Sequence, residues 1–219
     1  MKKIRTSKRY FDHIPTISFE GKESKNPFAF KYYDASRKIM GKSMARHFKF
    51  ACAYWHSFCN TGGDPFGSGT KIYPWLEADD PMERAYDKMD AAFEFMNKIG
   101  LEYFCFHDYD LVDEADTLKE SRKRLDLITD YALEKMKASR RKVLWGTANL
   151  FNHPRYMNGA ATNPDFNVVA YAGAQLKNAL DISVKLAAEN FVFWGGREGY
   201  MSLLNTNMKK EQEHMAKFL

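Results

Sequence analysis

The feature that most constrains this chain is a cycle of three segment types that repeats from Phe48 onwards. Each cycle has a short apolar run of β-forming residues, then a loop rich in Gly, Pro, Asp and Asn, then an amphipathic helical stretch. Strands that alternate with helices in this way are typical of βα units around a parallel sheet. The predicted strands are Phe48–Trp55, Tyr103–Phe106, Val143–Trp145 and Phe191–Trp194.

Local signals mark where the predicted helices begin and end. Pro81 suits a first helical position and Gly100 a helix end, and Thr117 with Glu120 forms a capping box. These signals predict helices over 81–99 and 117–139, and hydrophobic periodicity predicts two more, from Pro164 to about Glu189 and from near Asn205 onwards.

Four βα units are half of the eight that close a (β/α)₈ barrel, whereas an open four-stranded parallel sheet needs helices on both faces. Residues 1–46 show no clean period, and we interpret them as an N-terminal extension. The last helix is still periodic at Leu219, so residues 47–219 are predicted to stop before a barrel closes. The expected fold is α/β, the N-terminal half of a TIM-type (β/α)₈ barrel.

Composition excludes several classes of protein. The 33 Lys and Arg residues are interspersed with 28 Asp and Glu residues, unlike the single basic stripe of a nucleic-acid surface. No apolar run is long enough for a membrane span or a signal peptide. The three cysteines lack the spacing of a zinc site and fit a reducing compartment. We therefore expect a cytoplasmic protein without nucleic-acid or membrane partners.

His107 and Asp110 are the strongest local candidates for chemistry, because they lie three positions apart at the end of a predicted strand. A carboxylate that accepts from one imidazole nitrogen fixes the tautomer and leaves the other nitrogen to act as base or acid. The structural alternative is a His–Asp pair that only ties a loop.

Trp55, Trp145 and Trp194 each lie near the end of a different predicted strand. They could stack on a sugar beside the polar Thr147, or they could belong to the core. Phe66 is an apolar residue on a Gly-rich loop, which suggests either an intermolecular contact or a buried anchor. The run Gly195–Gly199 lacks the spacing of a nucleotide-binding loop, and no complete cluster of metal ligands is visible.

Five blocks of the sequence together resemble the N-terminal half of a xylose isomerase of the longer, class II type. They are AYWHSFCNTGGDPFGSGT at 53–70, YFCFHDYDL at 103–111, LWGTANLF at 144–151, HPRYMNGAATNPDF at 153–166 and NFVFWGGREGYMSLLNT at 190–206. They occur in the family's order and at its spacing, and the resemblance covers nearly the whole chain.

The resemblance implies an aldose–ketose isomerase that interconverts D-xylose and D-xylulose, with D-glucose and D-fructose as side substrates. The reaction would combine ring opening with a metal-assisted hydride shift on a homotetramer that holds two divalent cations, Mg²⁺, Mn²⁺ or Co²⁺. His107 matches the histidine that assists ring opening and Asp110 the aspartate that orients it. Trp55, Thr147 and Trp194 match residues of the sugar pocket. Phe66 matches a phenylalanine that a neighbouring subunit inserts into that pocket.

In the family the metal ligands and a lysine of a Glu-Pro-Lys motif come from later strands, downstream of Leu219 in this numbering. No residue here is therefore assigned as a metal ligand, and the chain alone is expected to be inactive. Two alternatives stay open at this point: an inactive truncated relative or interaction protein, and another metal-dependent sugar-handling barrel.

Overall fold

The computed structural model describes residues 5–198, 202, 204 and 206–219. Gly199 of the glycine-rich run and Asn205, the predicted start of the last helix, lie outside the described residues. The N-terminal part contains a parallel pair, a hairpin and one short helix. Their bounds are β1 Ser18–Phe19, β2 Ala29–Phe30, β3 Lys38–Ile39, β4 Lys42–Ser43 and α1 Met44–His47.

Four parallel strands form the main sheet in the order in which they occur along the chain. They are β5 Ala51–Ala53, β6 Tyr103–His107, β7 Lys142–Thr147 and β8 Asn190–Phe191. All four lie where the sequence predicts strands, with different ends. The first is shorter than predicted because Trp55–Cys59 forms a π-helical turn, and Trp194 lies beyond the end of β8.

Long helices connect successive strands of the main sheet: α2 Pro81–Ile99, α4 Leu118–Ser139 and α5 Phe166–Lys185. The first two confirm the prediction, with Asp80 and Thr117 as N-caps. The third begins after the cap Asp165 and ends before Ala187, whose φ of 51° is left-handed. Helix α2 packs against α4, and α4 against α5. Strand order and helix packing show an α/β fold with a parallel sheet, and the half-barrel stays a prediction.

The main core lies between these helices and the sheet. Its fully buried members include Met89, Phe104, Phe106, Leu125, Ile128 and Ile182. A second, smaller cluster lies beside β7 and α5, and Phe218 of the last helix, α6 (Met208–Phe218), packs against it. No helix among the described residues is long and apolar enough to cross a membrane.

The segment before β1 is fixed along helix α2 by acidic side chains. The backbone N–H of Lys8 donates to the buried Asp90 carboxylate at 2.9 Å, which also accepts from the Tyr131 hydroxyl. The N–H groups of Tyr10 and Phe11 donate to Glu94. These bonds satisfy backbone donors that have no strand partner.

Gly146 lets helix α5 approach strand β7 closely. A Cβ atom at Gly146 would lie 2.3 Å from Ser183 Oγ and 3.2 Å from Phe106 Cζ. Ser183 is buried, and its hydroxyl donates to the Ala179 carbonyl. Contact between helix and strand therefore requires glycine at this position.

We predict that Gly146→Ala lowers the free energy of unfolding by about 1–3 kcal/mol, the usual cost of overpacking a core. Ser183→Ala removes the nearest clashing atom, so the double variant should recover part of the loss. Urea unfolding of the wild-type chain, the two single variants and the double variant measures the coupling free energy between the two positions. Strictly additive effects of the two substitutions would contradict the proposed clash.

Candidate active site

The pair of His107 and Asp110 forms where strand β6 ends. His107 is the last residue of β6, and Asp110 lies in the single helical turn α3 (Asp108–Leu111). His107 Nδ1 lies 2.8 Å from Asp110 Oδ2, which also accepts the His107 backbone N–H at 2.7 Å. With Nδ1–H as the donor, Nε2 is the nitrogen left for proton transfer. Both residues are buried, so the carboxylate holds the imidazole in one orientation.

Aromatic rings flank the imidazole on two sides. The ring centroid of Trp55 lies 4.7 Å from that of His107, and Phe151 approaches to 5.3 Å, both edge to face. Trp145 extends the wall, with its ring 5.4 Å from Trp55. Such rings suit the C–H faces of a sugar. Two of the three predicted tryptophans thus lie together beside His107. Phe151 joins them, although no motif distinguishes it in the sequence.

Thr147 and Trp194 lie on the β7–β8 side of the site. Thr147 is the register partner of His107, and its buried hydroxyl donates to the Val192 carbonyl. Both residues line a cavity of about 200 Å³ under helix α6. Trp194 is 58% exposed, and a Cβ atom at Gly196 would lie 2.6 Å from its Nε1 and 3.2 Å from Phe151 Cγ. Thr147 is therefore connected to His107 by the strand register, and Trp194 lies on the side of Phe151.

Phe66 is not part of the site in its own chain. It lies on a tight turn in which Asp64 and Gly67 exchange two backbone hydrogen bonds of 3.2 Å. Its side chain is 97% exposed. Phe66 is therefore not buried against the described residues of this chain, and its intermolecular contact stays a prediction.

Asp108 is a buried carboxylate whose environment the sequence did not predict. Its oxygens accept from the backbone N–H groups of Tyr109 and Asn149 and from Gln175 Nε2, at 2.8 to 2.9 Å. Complete burial raises its pKa to about 6, although these hydrogen bonds act in the opposite direction. Asp108 thereby joins the end of β6 to the β7 loop and to α5. The local sequence does not distinguish Asp108 from Asp110, because two of the partners of Asp108, Asn149 and Gln175, are distant in the sequence.

The described residues do not form a metal centre. Within 5–198 and the described C-terminal positions, no group of three or more His, Cys, Asp or Glu side chains is placed to hold a metal ion. Asp108 and Asp110 are each engaged by nitrogen donors. We therefore assign no metal ligand within this part of the chain.

Comparison with known proteins identifies relatives over nearly the whole chain, although no family model matches it. The xylose isomerase of Phocaeicola vulgatus is 58% identical over 213 residues, which cover 97% of this chain and 49% of that protein. The xylose isomerase of Bacteroides fragilis is 57% identical, and this chain covers 48% of its length. Xylose isomerase 1 of Xanthomonas campestris is 56% identical, also with 48% of its length covered. The chain thus spans about half the length of the curated relatives it matches.

A solved structure from Rhodospirillum rubrum aligns with 78% of this chain and 46% of its own, at 16% identity and a TM-score of 0.46. The architecture described above rests on the strands and helices of this chain itself.

The raised pKa of Asp108 predicts a pH dependence of stability. Between about pH 4 and pH 6 the folded chain retains a proton that the unfolded chain has released, so this residue makes stability fall as pH rises through that window. Asp108→Asn should remove this contribution and flatten the fall relative to the wild-type chain. Urea unfolding from pH 4 to pH 7 measures the difference.

Asp113→Asn is the matched control, because it makes the same chemical change at a half-exposed carboxylate, which is paired with Arg84. Its pH profile should keep the fall that we assign to Asp108. An Asp108→Asn profile parallel to wild type would show that Asp108 ionises normally in the folded state.

Proposed function

Because this chain is a homologue of the xylose isomerases over 97% of its length, we propose that it provides the ring-opening part of an aldose–ketose isomerase. The substrates are D-xylose and D-xylulose, with D-glucose and D-fructose as side substrates. The single observation that supports this most is the His107–Asp110 pair, buried between aromatic walls at the carboxyl end of a parallel strand. Parallel α/β sheets place their active sites at this edge.

In the proposed ring opening, Asp110 accepts the Nδ1–H of His107, so that Nε2 carries the lone pair. Nε2 takes the proton of the anomeric hydroxyl, the bond between C1 and the ring oxygen breaks, and a carbonyl forms at C1. The imidazolium then delivers the proton to the ring oxygen. Trp55 and Phe151 cover the apolar faces of the sugar and exclude water from the proton path.

The resemblance also implies two divalent cations, Mg²⁺, Mn²⁺ or Co²⁺, and a metal-assisted hydride shift. Among the described residues, no group of three or more His, Cys, Asp or Glu side chains is placed to hold such an ion. We therefore assign none of that chemistry to a residue of this chain. We propose that the cation ligands lie outside these 219 residues and that the chain alone is inactive.

Cysteine chemistry supports a reducing compartment. Cys52, Cys59 and Cys105 are free thiols. Burial raises the pKa of Cys59 to about 11 and that of Cys105 to about 12, so both are protonated and unreactive at neutral pH. We propose a cytoplasmic location, where thiols stay reduced.

The role of His107 is tested in a chimera that joins this chain to the unmatched half of the Phocaeicola vulgatus relative. We predict that His107→Ala lowers kcat/KM for D-xylose about 100-fold or more, since it removes a general acid–base. Isomerisation of glyceraldehyde, which cannot close a ring, should change only a few-fold. Coupled xylulose and dihydroxyacetone assays measure both rates.

His13→Ala is the matched control, because His13 is exposed on the N-terminal segment. The unfused chain with Mg²⁺, Mn²⁺ or Co²⁺ is the blank and should form no xylulose. Equal losses on both substrates would refute a role in ring opening, and an active blank would refute the proposed division of the site.

We also propose a homotetramer in which Phe66 of one copy enters the sugar pocket of another. A fully exposed phenylalanine on a tight turn is a suitable contact for a second protein surface. The same loop provides a matched exposed apolar residue, Ile72, which is 86% exposed.

Mixing chimeras tests this arrangement. Phe66→Ala should raise KM for D-xylose, and Ile72→Ala should leave it unchanged. Mixed oligomers of Phe66→Ala and His107→Ala subunits should regain activity, because some sites then combine an intact His107 with an intact Phe66 from the other copy. No recovery in mixed oligomers would show that Phe66 does not act between subunits.

A further inference from the structure

Glu198 is held by a compact set of hydrogen-bond donors. Its Oε1 accepts from the N–H groups of Ala160 and Ala161 at 3.1 and 2.8 Å. Its Oε2 accepts from the N–H of Thr162 at 3.0 Å and from the Thr162 hydroxyl at 2.7 Å. Three successive N–H groups that converge on one anion form a nest, a recurrent carboxylate and phosphate site in proteins. Here the protein's own side chain occupies the nest.

The space around this carboxylate depends on a glycine. Gly159 has a φ of +92°, which other residues rarely adopt. A Cβ atom there would lie 2.7 Å from Thr162 Oγ1 and 2.9 Å from Glu198 Oε2. The turn at Gly159 therefore both directs the three N–H groups inward and leaves room for the anion.

The nest joins the loop after β8 to the loop after β7, and both loops carry residues of the candidate site. Trp194 lies four residues before Glu198. Between them, Gly196 leaves space for both rings, because a Cβ atom there would lie 2.6 Å from Trp194 Nε1 and 3.2 Å from Phe151 Cγ. Arg197 Nε donates to the Phe151 carbonyl at 3.3 Å. Phe151 in turn packs on the ring of His107. Glu198 therefore bonds the loop that carries Trp194 to the loop that follows Phe151.

We propose that Glu198 is a positioning residue, a latch that sets Trp194 and Phe151 for sugar binding by filling the nest of Ala160–Thr162. That a sugar binds at these two rings rests on the function proposed above. That Glu198 positions the rings does not depend on that function. It also implies that the vacated nest accepts a small carboxylate from solution, since its donors are neutral N–H and O–H groups aimed at an anion.

The latch itself is tested without catalysis in the ¹⁵N-labelled 219-residue chain. Glu198→Ala should shift the indole N–H resonance of Trp194 and the amide resonance of Ala161, and sodium acetate should return both towards wild type. Sodium chloride at equal ionic strength should not. The latch would be overturned if the Trp194 indole resonance did not shift in Glu198→Ala, or if acetate did not return it towards the wild-type position.

Glu198→Gln is the second variant if the alanine variant does not fold. Its amide keeps the size of the side chain but turns an N–H₂ group towards donors, so the indole should shift in the same direction. Glu213→Ala, on the exposed face of α6, is the control and should leave the Trp194 resonance in place.

The consequence for binding is measured in the chimera. Glu198→Ala should raise KM for D-xylose about tenfold, as expected when a charge-assisted contact that shapes the binding wall is lost, and leave kcat within a few-fold. Acetate should lower that KM again. An unchanged KM in a chimera that responds normally to His107→Ala would overturn the positioning role alone. An inactive wild-type chimera would count against the proposed function, and the resonance of Trp194 would still decide the latch.

Discussion

The parallel pairing of β6 with β7 is the constraint on which the rest of the structure depends. It sets Gly146 opposite Phe106 and Thr147 opposite His107. The close contact between α5 and β7 and the candidate site therefore involve neighbouring residue pairs of the same two strands. Because side chains alternate along a strand, a shift of one residue would send His107 and Thr147 to opposite faces. The same pairing directs both strand ends, and the loops that follow them, to one edge of the sheet.

At that edge, carboxylates replace the missing strand partners. Loops that leave a parallel sheet expose N–H groups that the sheet no longer satisfies. Asp110 accepts the N–H of His107, Asp108 accepts that of Asn149, and Glu198 accepts three in succession. Each acid therefore stabilises a loop, and only Asp110 also contacts the imidazole that we propose transfers protons. This explains why several acids gather near His107 without forming a ligand set for a metal among the described residues.

The proposed function divides the reaction between parts of a larger assembly. In that proposal, this chain carries the residues that open the sugar ring and the wall against which the sugar lies. Phe66 points away from its own chain, which suits a contact with a second copy. The relatives are about twice as long as this chain, and we propose that the cation ligands belong to the segment they have in addition.

The sequence by itself determined what is local. The alternation of strand and helix signals located the four strands of the main sheet, and local signals marked Gly100 at the end of α2 and Thr117 at the start of α4. The spacing of His107 and Asp110 predicted their contact, since three residues span a single turn. Only the tertiary structure decided the environments of Asp108 and Glu198 and the packing of Phe151 on His107. Their partners lie tens of residues away, so no local pattern records them. They meet only because the parallel strands bring separate loops to the same edge.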